Sequence, residues 1–148
     1  MTADVLWPFL APLSDRTILA LTLYGEARGE PIEGQIAVAC VIRNRVTDTR
    51  WPDDYRGVCL QPKQFSCWND GDPTQAAVIR AAQQAMTSQF DPGMLQCVWI
   101  AQGIMDGFAG DVTRGSTNYH ADSIPTPSWA APMILTVKKG HHVFYRAT

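Results

Sequence analysis

Apolar residues recur with helical spacing near the start of the chain. Positions 18, 19, 21 and 23 are apolar and follow Ser14-Asp15-Arg16-Thr17, a polar group suited to cap a helix N-terminus. This pattern predicts a helix from about Asp15 to Ala27. Gly29-Glu30-Pro31 should end it, because glycine favours helix C-termini and proline disrupts a continuing helix.

A second apolar stretch has hydrophobic residues on more than one face. Positions 36, 38, 39, 41, 42 and 46 are apolar, which predicts a helix from Pro31-Ile32-Glu33 to about Val46. Because it has no fully polar face, we expect it to be the buried central helix. Cys40 lies inside it and is expected to be a small core residue.

The middle of the chain is less regular. Between Arg50 and Asp72 the sequence is rich in Trp, Pro, Gly and Asp, which predicts loops with short strands or turns. Pro73 to Ser88 predicts another helix, with Asp72 as its cap and Pro73 in its first turn. Asp91-Pro92 predicts a turn, and Leu95 to Met105 an apolar segment of unassigned type.

The C-terminal part has a different pattern. Glycine, proline and aromatic residues dominate from Gly115 onward, and Val137 to Arg146 alternates around Gly140, which predicts a strand or hairpin. Helices followed by short strands favour an α+β fold. No repeat or linker interrupts the sequence, so residues 1–148 are predicted to form a single domain.

Composition narrows the function classes. The 148 residues suit one domain, and 46% apolar with 18% charged residues argues against disorder. A net charge of −2 gives no electrostatic signal for nucleic acid or a membrane surface. The first residues, Met1 to Pro8, lack the basic and apolar regions of a secretion signal, so we expect synthesis in the cytoplasm.

The four cysteines, at 40, 59, 67 and 97, form no CxxC pair. This spacing argues against a zinc ribbon and against a dithiol redox site. Cys59 and Cys67 flank a short loop and could approach each other. We expect them to be reduced, because the cytosol keeps thiols reduced.

Glu26 is the first candidate for chemistry. It lies in the predicted last turn of the first helix, where unpaired carbonyls carry partial negative charge. Burial and that charge would both raise its pKa, and a protonated carboxyl can protonate a glycosidic oxygen. The alternative is a structural glutamate paired with Arg28 or Arg43.

Several sequence blocks resemble one family. Leu23 to Pro31 (LYGEARGEP), Glu33 to Ala39 (EGQIAVA) and Val41 to Val46 (VIRNRV) are similar to the spore-cortex-lytic (SleB-like) cell-wall hydrolases. Weaker matches follow in the same order: Gln64-Phe65-Ser66 with Trp68, Asn118 to Ala121, Trp129, and Gly140 to Arg146. The likeness spans about Thr17 to Arg146, nearly the whole chain.

The resemblance implies a lysozyme-like fold, mainly helical with a small β-region, related to goose-type lysozyme and lytic transglycosylases. It implies cleavage of the peptidoglycan backbone between N-acetylmuramic acid and N-acetylglucosamine, with Glu26 as the catalytic acid and no cofactor. The glycan strand would be the partner, and we expect a monomer.

A second carboxylate would be needed for two-acid hydrolysis. The candidates are Asp54, Asp70, Asp72 and Asp122, and no motif singles one out. We therefore favour lytic transglycosylation, in which the substrate's acetamido group and 6-hydroxyl replace nucleophile and water. Simple muramidase hydrolysis is the alternative.

The same blocks supply candidate glycan contacts, since aromatic faces stack on sugar rings and amide or hydroxyl groups bind acetamido groups. For the aromatic members the competing interpretation is core packing, and for His120 a hydrogen-bonded structural role. The candidates are Phe65, Ser66, Trp68, Asn118, Tyr119, His120 and Trp129.

Two other function classes stay open. His120, His141 and Asp122 could assemble a zinc site of an amidase or peptidase, although no compact ligand signature supports it. The other class is a wall-binding or virion structural module that keeps the fold but has no catalytic activity.

Spore enzymes of the family usually carry a secretion signal and a wall-binding module. Neither is visible here, so we expect a phage or prophage endolysin.

Overall fold

The computed structural model describes residues 8–148; Met1 to Trp7 lie outside the described residues. The first predicted helix is confirmed as α1 (Asp15–Ala27). The Ser14 hydroxyl accepts a hydrogen bond from the Thr17 amide at 3.2 Å and so caps its N-terminus. Every side chain from Ile18 to Leu23 is buried.

The second helix is confirmed as α2 (Ile32–Thr47). Its residues from Ala37 to Ile42 are fully buried, including Cys40, which is a core residue as predicted. The central position, however, belongs to α1 rather than α2, which corrects the prediction. Helix α1 contacts α2 and each of the three helices that follow α2 in the chain.

The segment from Arg50 to Asp72 contains a helix that the pattern did not predict. Helix α3 (Tyr55–Leu60) is capped by Asp54, whose carboxylate accepts from the Gly57 amide at 2.6 Å. Six residues are too few to display helical periodicity, which explains the miss. A 3-10 turn (Ser66–Trp68) follows and buries Cys67 and Trp68.

Helix α4 (Gln75–Met86) starts later than predicted. The Asp72 carboxylate accepts from the backbone amide of Thr74 at 2.9 Å and from its hydroxyl at 2.5 Å. Asp72 therefore forms a turn ahead of the helix instead of capping its first turn.

Helix α5 (Pro92–Met105) resolves the apolar segment of unassigned type. The predicted turn at Asp91-Pro92 is the start of this helix, and the prediction of a turn is wrong. Asp91 accepts from the Met94 amide at 2.7 Å, and Pro92 occupies the first turn, where its missing N–H costs no hydrogen bond.

A small antiparallel sheet completes the fold. Its strands are β1 (Asn118–Ala121), β2 (Ile134–Lys139) and β3 (His142–Arg146), in the order β1-β3-β2. The predicted hairpin at Gly140 is confirmed, with a φ of +57° at this glycine. Helices and a separate antiparallel sheet make the fold α+β, as expected.

The four cysteines are buried, and the structure describes each of them as a free thiol. Within residues 8–148, none of the helices combines the length and the apolar character needed to cross a bilayer.

Candidate active site

Glu26 is the penultimate residue of α1, next to a close contact between that helix and the 3-10 turn. A Cβ placed on Gly25 would lie 2.5 Å from the Cys67 Cβ, so only glycine lets the two segments come this near. The approach brings the Cys67 backbone amide and the Ser66 hydroxyl to the Glu26 carboxyl. The close packing of α1 against the 3-10 turn thus explains why a glycine precedes Glu26 in the sequence.

The pKa of Glu26 is raised above its ordinary value. Burial is the largest cause, and the negative charge of Asp72 adds to it. Hydrogen bonds from the Cys67 amide and from the Tyr119 and Ser66 hydroxyls act in the opposite direction. The net effect favours a protonated carboxyl that still has polar groups around it.

The two arginines of the structural alternative have other partners. Arg28 lies 4.7 Å over the Tyr24 ring, and Arg43 donates to the carbonyl of Ala109 at 2.7 Å. Among the ion pairs between described residues, none includes Glu26. The described contacts therefore do not pair Glu26 with Arg28 or Arg43.

Tyr119 reaches Glu26 from the sheet. Its hydroxyl donates to the Glu26 carboxylate at 3.4 Å, although the two residues are 93 positions apart in the chain. Burial and the nearby Glu26 charge hold the pKa of Tyr119 well above its ordinary value. The phenol therefore stays protonated and available as a donor.

Arg45 lies behind Tyr119 as a buried cation. Its side chain donates to the Thr117 carbonyl at 2.7 Å and to Gln64 at 3.3 Å, and it lies 5.4 Å over the Phe65 ring. Burial lowers its pKa, whereas the proximity of Tyr119 raises it. Sequence reasoning missed this residue; an arginine inside the apolar run of α2 was the available signal.

Two of the predicted glycan contacts are core residues. Phe65 is 2% exposed and Trp68 is 4% exposed, and the Trp68 indole donates to the Thr22 hydroxyl at 3.1 Å. Buried rings cannot stack on a sugar, so the interpretation as groove residues is corrected for both. Ser66, between them, is exposed and faces Glu26.

Asn118 and His120 lie on the other face of the sheet from Tyr119, because side chains alternate along a strand. His120 is 8% exposed; its Nε2 pairs with the Tyr145 hydroxyl at 2.9 Å and its Nδ1 with the Ala121 carbonyl at 2.8 Å. Trp129 packs edge-on against His120 and Tyr145. The structure therefore does not bring these three predicted contacts together with Glu26, and His120 has the structural role that was the alternative.

Among the candidate second acids, the structure singles out Asp72. Its charge acts on Glu26, and the Ser66 hydroxyl faces both carboxylates. Asp54 caps α3, and Asp122 forms an ion pair with Lys138 at 2.9 Å. Asp70 is exposed.

The zinc alternative has no geometric support in the described part of the chain. Within residues 8–148, no group of three or more His, Cys, Asp or Glu side chains could hold a metal ion. His120 is committed to Tyr145, and Asp122 to Lys138.

An apolar groove lies apart from Glu26, between α2, α5 and the segment after α5. Its two aromatic side chains, Trp99 and Phe108, are 73% and 87% exposed. The residues that line it are Ile32, Ile36, Pro92, Leu95, Gln96, Trp99, Ile100, Gly103, Phe108 and Ala109.

Comparison with known proteins then decides the family. The model of the Cell Wall Hydrolase family matches residues 29–145. This chain belongs to that family. The matched segment begins just after Glu26 and does not include it. The choice of Glu26 as the candidate acid therefore depends on the site geometry described above.

Curated proteins with similar sequences include spore cortex-lytic enzymes. The Halalkalibacterium halodurans enzyme is 32% identical over 137 residues, which are 88% of this chain and 34% of that protein. The Oceanobacillus iheyensis enzyme is 48% identical over 58 residues, which are 39% of this chain and 21% of that protein. This chain thus spans about a third or less of the length of these relatives.

Solved structures give the same result for the fold. The catalytic domain of the Bacillus cereus SleB protein matches with a TM-score of 0.69 at 27% identity, over 89% of each chain. The catalytic domain of the germination-specific lytic transglycosylase SleB from Bacillus anthracis matches with a TM-score of 0.66 at 27% identity, over 89% of this chain and 93% of that one. The lysozyme-like fold and the SleB-like family expected from the sequence are confirmed.

Proposed function

We propose that this cell wall hydrolase cleaves the peptidoglycan backbone between N-acetylmuramic acid and N-acetylglucosamine, with Glu26 as general acid and base. The observation that carries the proposal is a glutamate with a raised pKa and no cationic partner among the described residues, surrounded by hydroxyl and amide donors. Because its pKa is raised, such a carboxyl keeps its proton to higher pH than an ordinary glutamate and can give it to a leaving oxygen.

The reaction is proposed to be a lytic transglycosylation. Glu26 gives its proton to the glycosidic oxygen while the bond from that oxygen to C1 of the muramic acid breaks. The substrate's acetamido group stabilises C1, and its 6-hydroxyl then forms the new bond to C1. The proton of that hydroxyl returns to Glu26, so the enzyme is regenerated and a 1,6-anhydro end results.

Tyr119 and the Cys67 amide are proposed to hold Glu26 after it has lost its proton. Both donate to the carboxylate, and hydrogen bonds to an ionised acceptor are stronger than those to a neutral one. Ser66 is exposed beside them and is proposed to contact the glycan.

The competing outcome is hydrolysis, for which Asp72 would have to orient a water. Asp72 already accepts two hydrogen bonds from Thr74, which limits its freedom to act as a base. The relatives named above include a lytic transglycosylase, which also favours the anhydro product. That the protein acts as a monomer stays a prediction, which a measurement of its mass in solution would test.

The decisive experiment is digestion of purified peptidoglycan by wild type and by the Glu26→Gln variant, with the soluble fragments identified by mass. We expect anhydro ends from the wild type, and a loss of about a hundredfold or more in rate for Glu26→Gln, as expected when a general acid is removed. Glu33→Gln is the matched control, since Glu33 is an exposed carboxylate at the start of α2.

Two results would contradict parts of the proposal separately. Reducing ends without any anhydro product would replace transglycosylation by hydrolysis. Turnover by Glu26→Gln close to that of Glu33→Gln would remove Glu26 from the reaction.

A further inference from the structure

The turn between β2 and β3 is fastened to the loop that follows α1. Glu30 accepts two hydrogen bonds from His141, at 2.6 Å from the backbone amide and at 2.7 Å from the ring Nδ1. A Cβ on Gly140 would lie 2.6 Å from a Glu30 carboxylate oxygen. The turn is therefore shaped around this one carboxylate.

The next residue, His142, connects that carboxylate to Tyr119. The His142 Nδ1 lies 3.5 Å from Glu30, and its ring centroid lies 4.9 Å from that of Tyr119. Its side chain is only 11% exposed. Phe144 supports the same tyrosine ring, with centroids 5.6 Å apart.

The contacts thus form a continuous path from Glu30 through His142 and Tyr119 to Glu26. We propose that Glu30 and His142 are positioning residues of the active centre, which fix the Tyr119 hydroxyl against the Glu26 carboxyl. This inference rests on the proposed function and assigns the two residues a part in it.

Charged groups around this path come from several elements. His142 faces Glu30 of the loop after α1, His141 of the turn, and Asp122 and His120 of the β1 side. Tyr119 faces the buried cation of Arg45, and Glu26 faces Asp72. A change at Glu30 can therefore act on Glu26 in two ways, through its charge or through the position of Tyr119.

The two routes predict opposite signs. Removal of a nearby negative charge would lower the pKa of Glu26. Loss of the Tyr119 hydrogen bond would raise the pKa of Glu26, because that bond favours the carboxylate. Since Glu26 must be protonated to act as an acid, a raised pKa moves the alkaline limb of the activity profile to higher pH, and a lowered pKa moves it down.

The test compares kcat, KM and the pH profile on purified peptidoglycan for Glu30→Ala, Glu30→Gln, His142→Phe and Tyr119→Phe, with Glu33→Gln as control. We expect Tyr119→Phe to shift the alkaline limb to higher pH, and Glu30→Ala and His142→Phe to shift it in the same direction. Their kcat should fall on the order of ten- to a hundredfold, with KM changed little, as expected for misplacement of a reacting group. Glu30→Gln should lose less, because its amide oxygen can still accept from the His141 amide.

A double variant separates positioning from general stability. If Glu30 acts through Tyr119, Glu30→Gln should have no further effect on kcat or on the limb in a Tyr119→Phe background. Thermal unfolding of each variant shows whether it is folded, and Glu30→Gln serves where Glu30→Ala is not.

The inference is rejected if the alkaline limb of the Glu30 and His142 variants coincides with that of wild type or moves to lower pH. It is also rejected if the effects of Glu30→Gln and Tyr119→Phe add in the double variant. A wild-type limb in Glu30→Ala beside an inactive Glu26→Gln rejects the positioning role alone. Activity that survives in Glu26→Gln rejects the proposed function itself.

Discussion

Opposing influences act on Glu26, and their balance is a property of single residues. Burial and the Asp72 charge favour the protonated form, while the Cys67 amide and the Tyr119 hydroxyl favour the carboxylate. A glutamate buried without donors could give up its proton only at great cost, and an exposed one would have lost it at neutral pH. The arrangement around Glu26 lies between these limits.

This balance predicts that Glu26 destabilises the folded protein near neutral pH. Its folded pKa is raised above the usual 4.5. Below that value the folded and unfolded chains are both protonated; above it the unfolded chain ionises first, so the free energy of unfolding falls as pH rises to the folded pKa. Glu26→Gln should therefore have a larger free energy of unfolding than wild type at neutral pH. The difference should grow as pH rises from 4.5 to the folded pKa of Glu26 and stay constant above it.

Urea unfolding of wild type and Glu26→Gln at a series of pH values measures this difference. Glu33→Gln, which removes an exposed carboxylate at the start of α2, is measured in parallel as the control. A gain that is equal at all pH values, or a less stable Glu26→Gln at neutral pH, would contradict the assignment of a raised pKa.

At the scale of elements, the site depends on how closely α1 meets the 3-10 turn. The side chains that crowd Gly25 are Cys67 and Val78, so a methyl group there has no room. Since the Cys67 amide is one of the donors to Glu26, separating these two elements also removes a hydrogen bond from the reacting carboxyl.

Gly25→Ala should therefore lower both stability and activity. We expect a loss of about 1–3 kcal/mol in the free energy of unfolding, typical of overpacking, and a fall in the rate of peptidoglycan cleavage. Gly103→Ala, in α5, is the matched control: nothing lies within 4 Å of its Cβ position, and alanine there should stabilise by up to about 1 kcal/mol with activity unchanged. Equal behaviour of the two variants would show that the contact at Gly25 is unimportant.

The elements differ in how far the sequence predicts them. Ser14 and Gly140 carry local signals, a cap and a turn, so α1 and the hairpin follow from nearby residues. Helix α3 is too short for periodicity, and Asp91-Pro92 suits a turn and a helix start equally well until the partner surface of α5 is known.

The site shows the same division. Glu26 is recognisable in a long sequence block, whereas the burial of Phe65 and Trp68 depends on tertiary packing. Asn118, Tyr119 and His120 are neighbours in the chain, but strand alternation sends only Tyr119 to Glu26. Glu30 is distant from His142 in sequence, and only the folded hairpin brings them together.

At the scale of the whole molecule, the helical core encloses the thiols. Burial raises the pKa of Cys59 and of Cys97 to about 12, and it raises the pKa of Cys40 and of Cys67 as well. Thiolates react and thiols do not, so both access and ionisation protect these side chains.

A thiol reagent should therefore not label the native protein at neutral pH. In denaturant, all four cysteines of the sequence should react. Counting the bound label by intact mass measures this, with the unfolded sample as control. Fast stoichiometric labelling of the native protein would show that the core opens readily or that a thiolate is exposed.

The contact between Glu26 and Tyr119 joins helix α1 to the C-terminal sheet. Strand β1 is held by β3, which is the last element of the fold, so the phenol is in place only when that strand has docked. A chain whose helices have formed but whose sheet has not docked would therefore still lack this donor at Glu26.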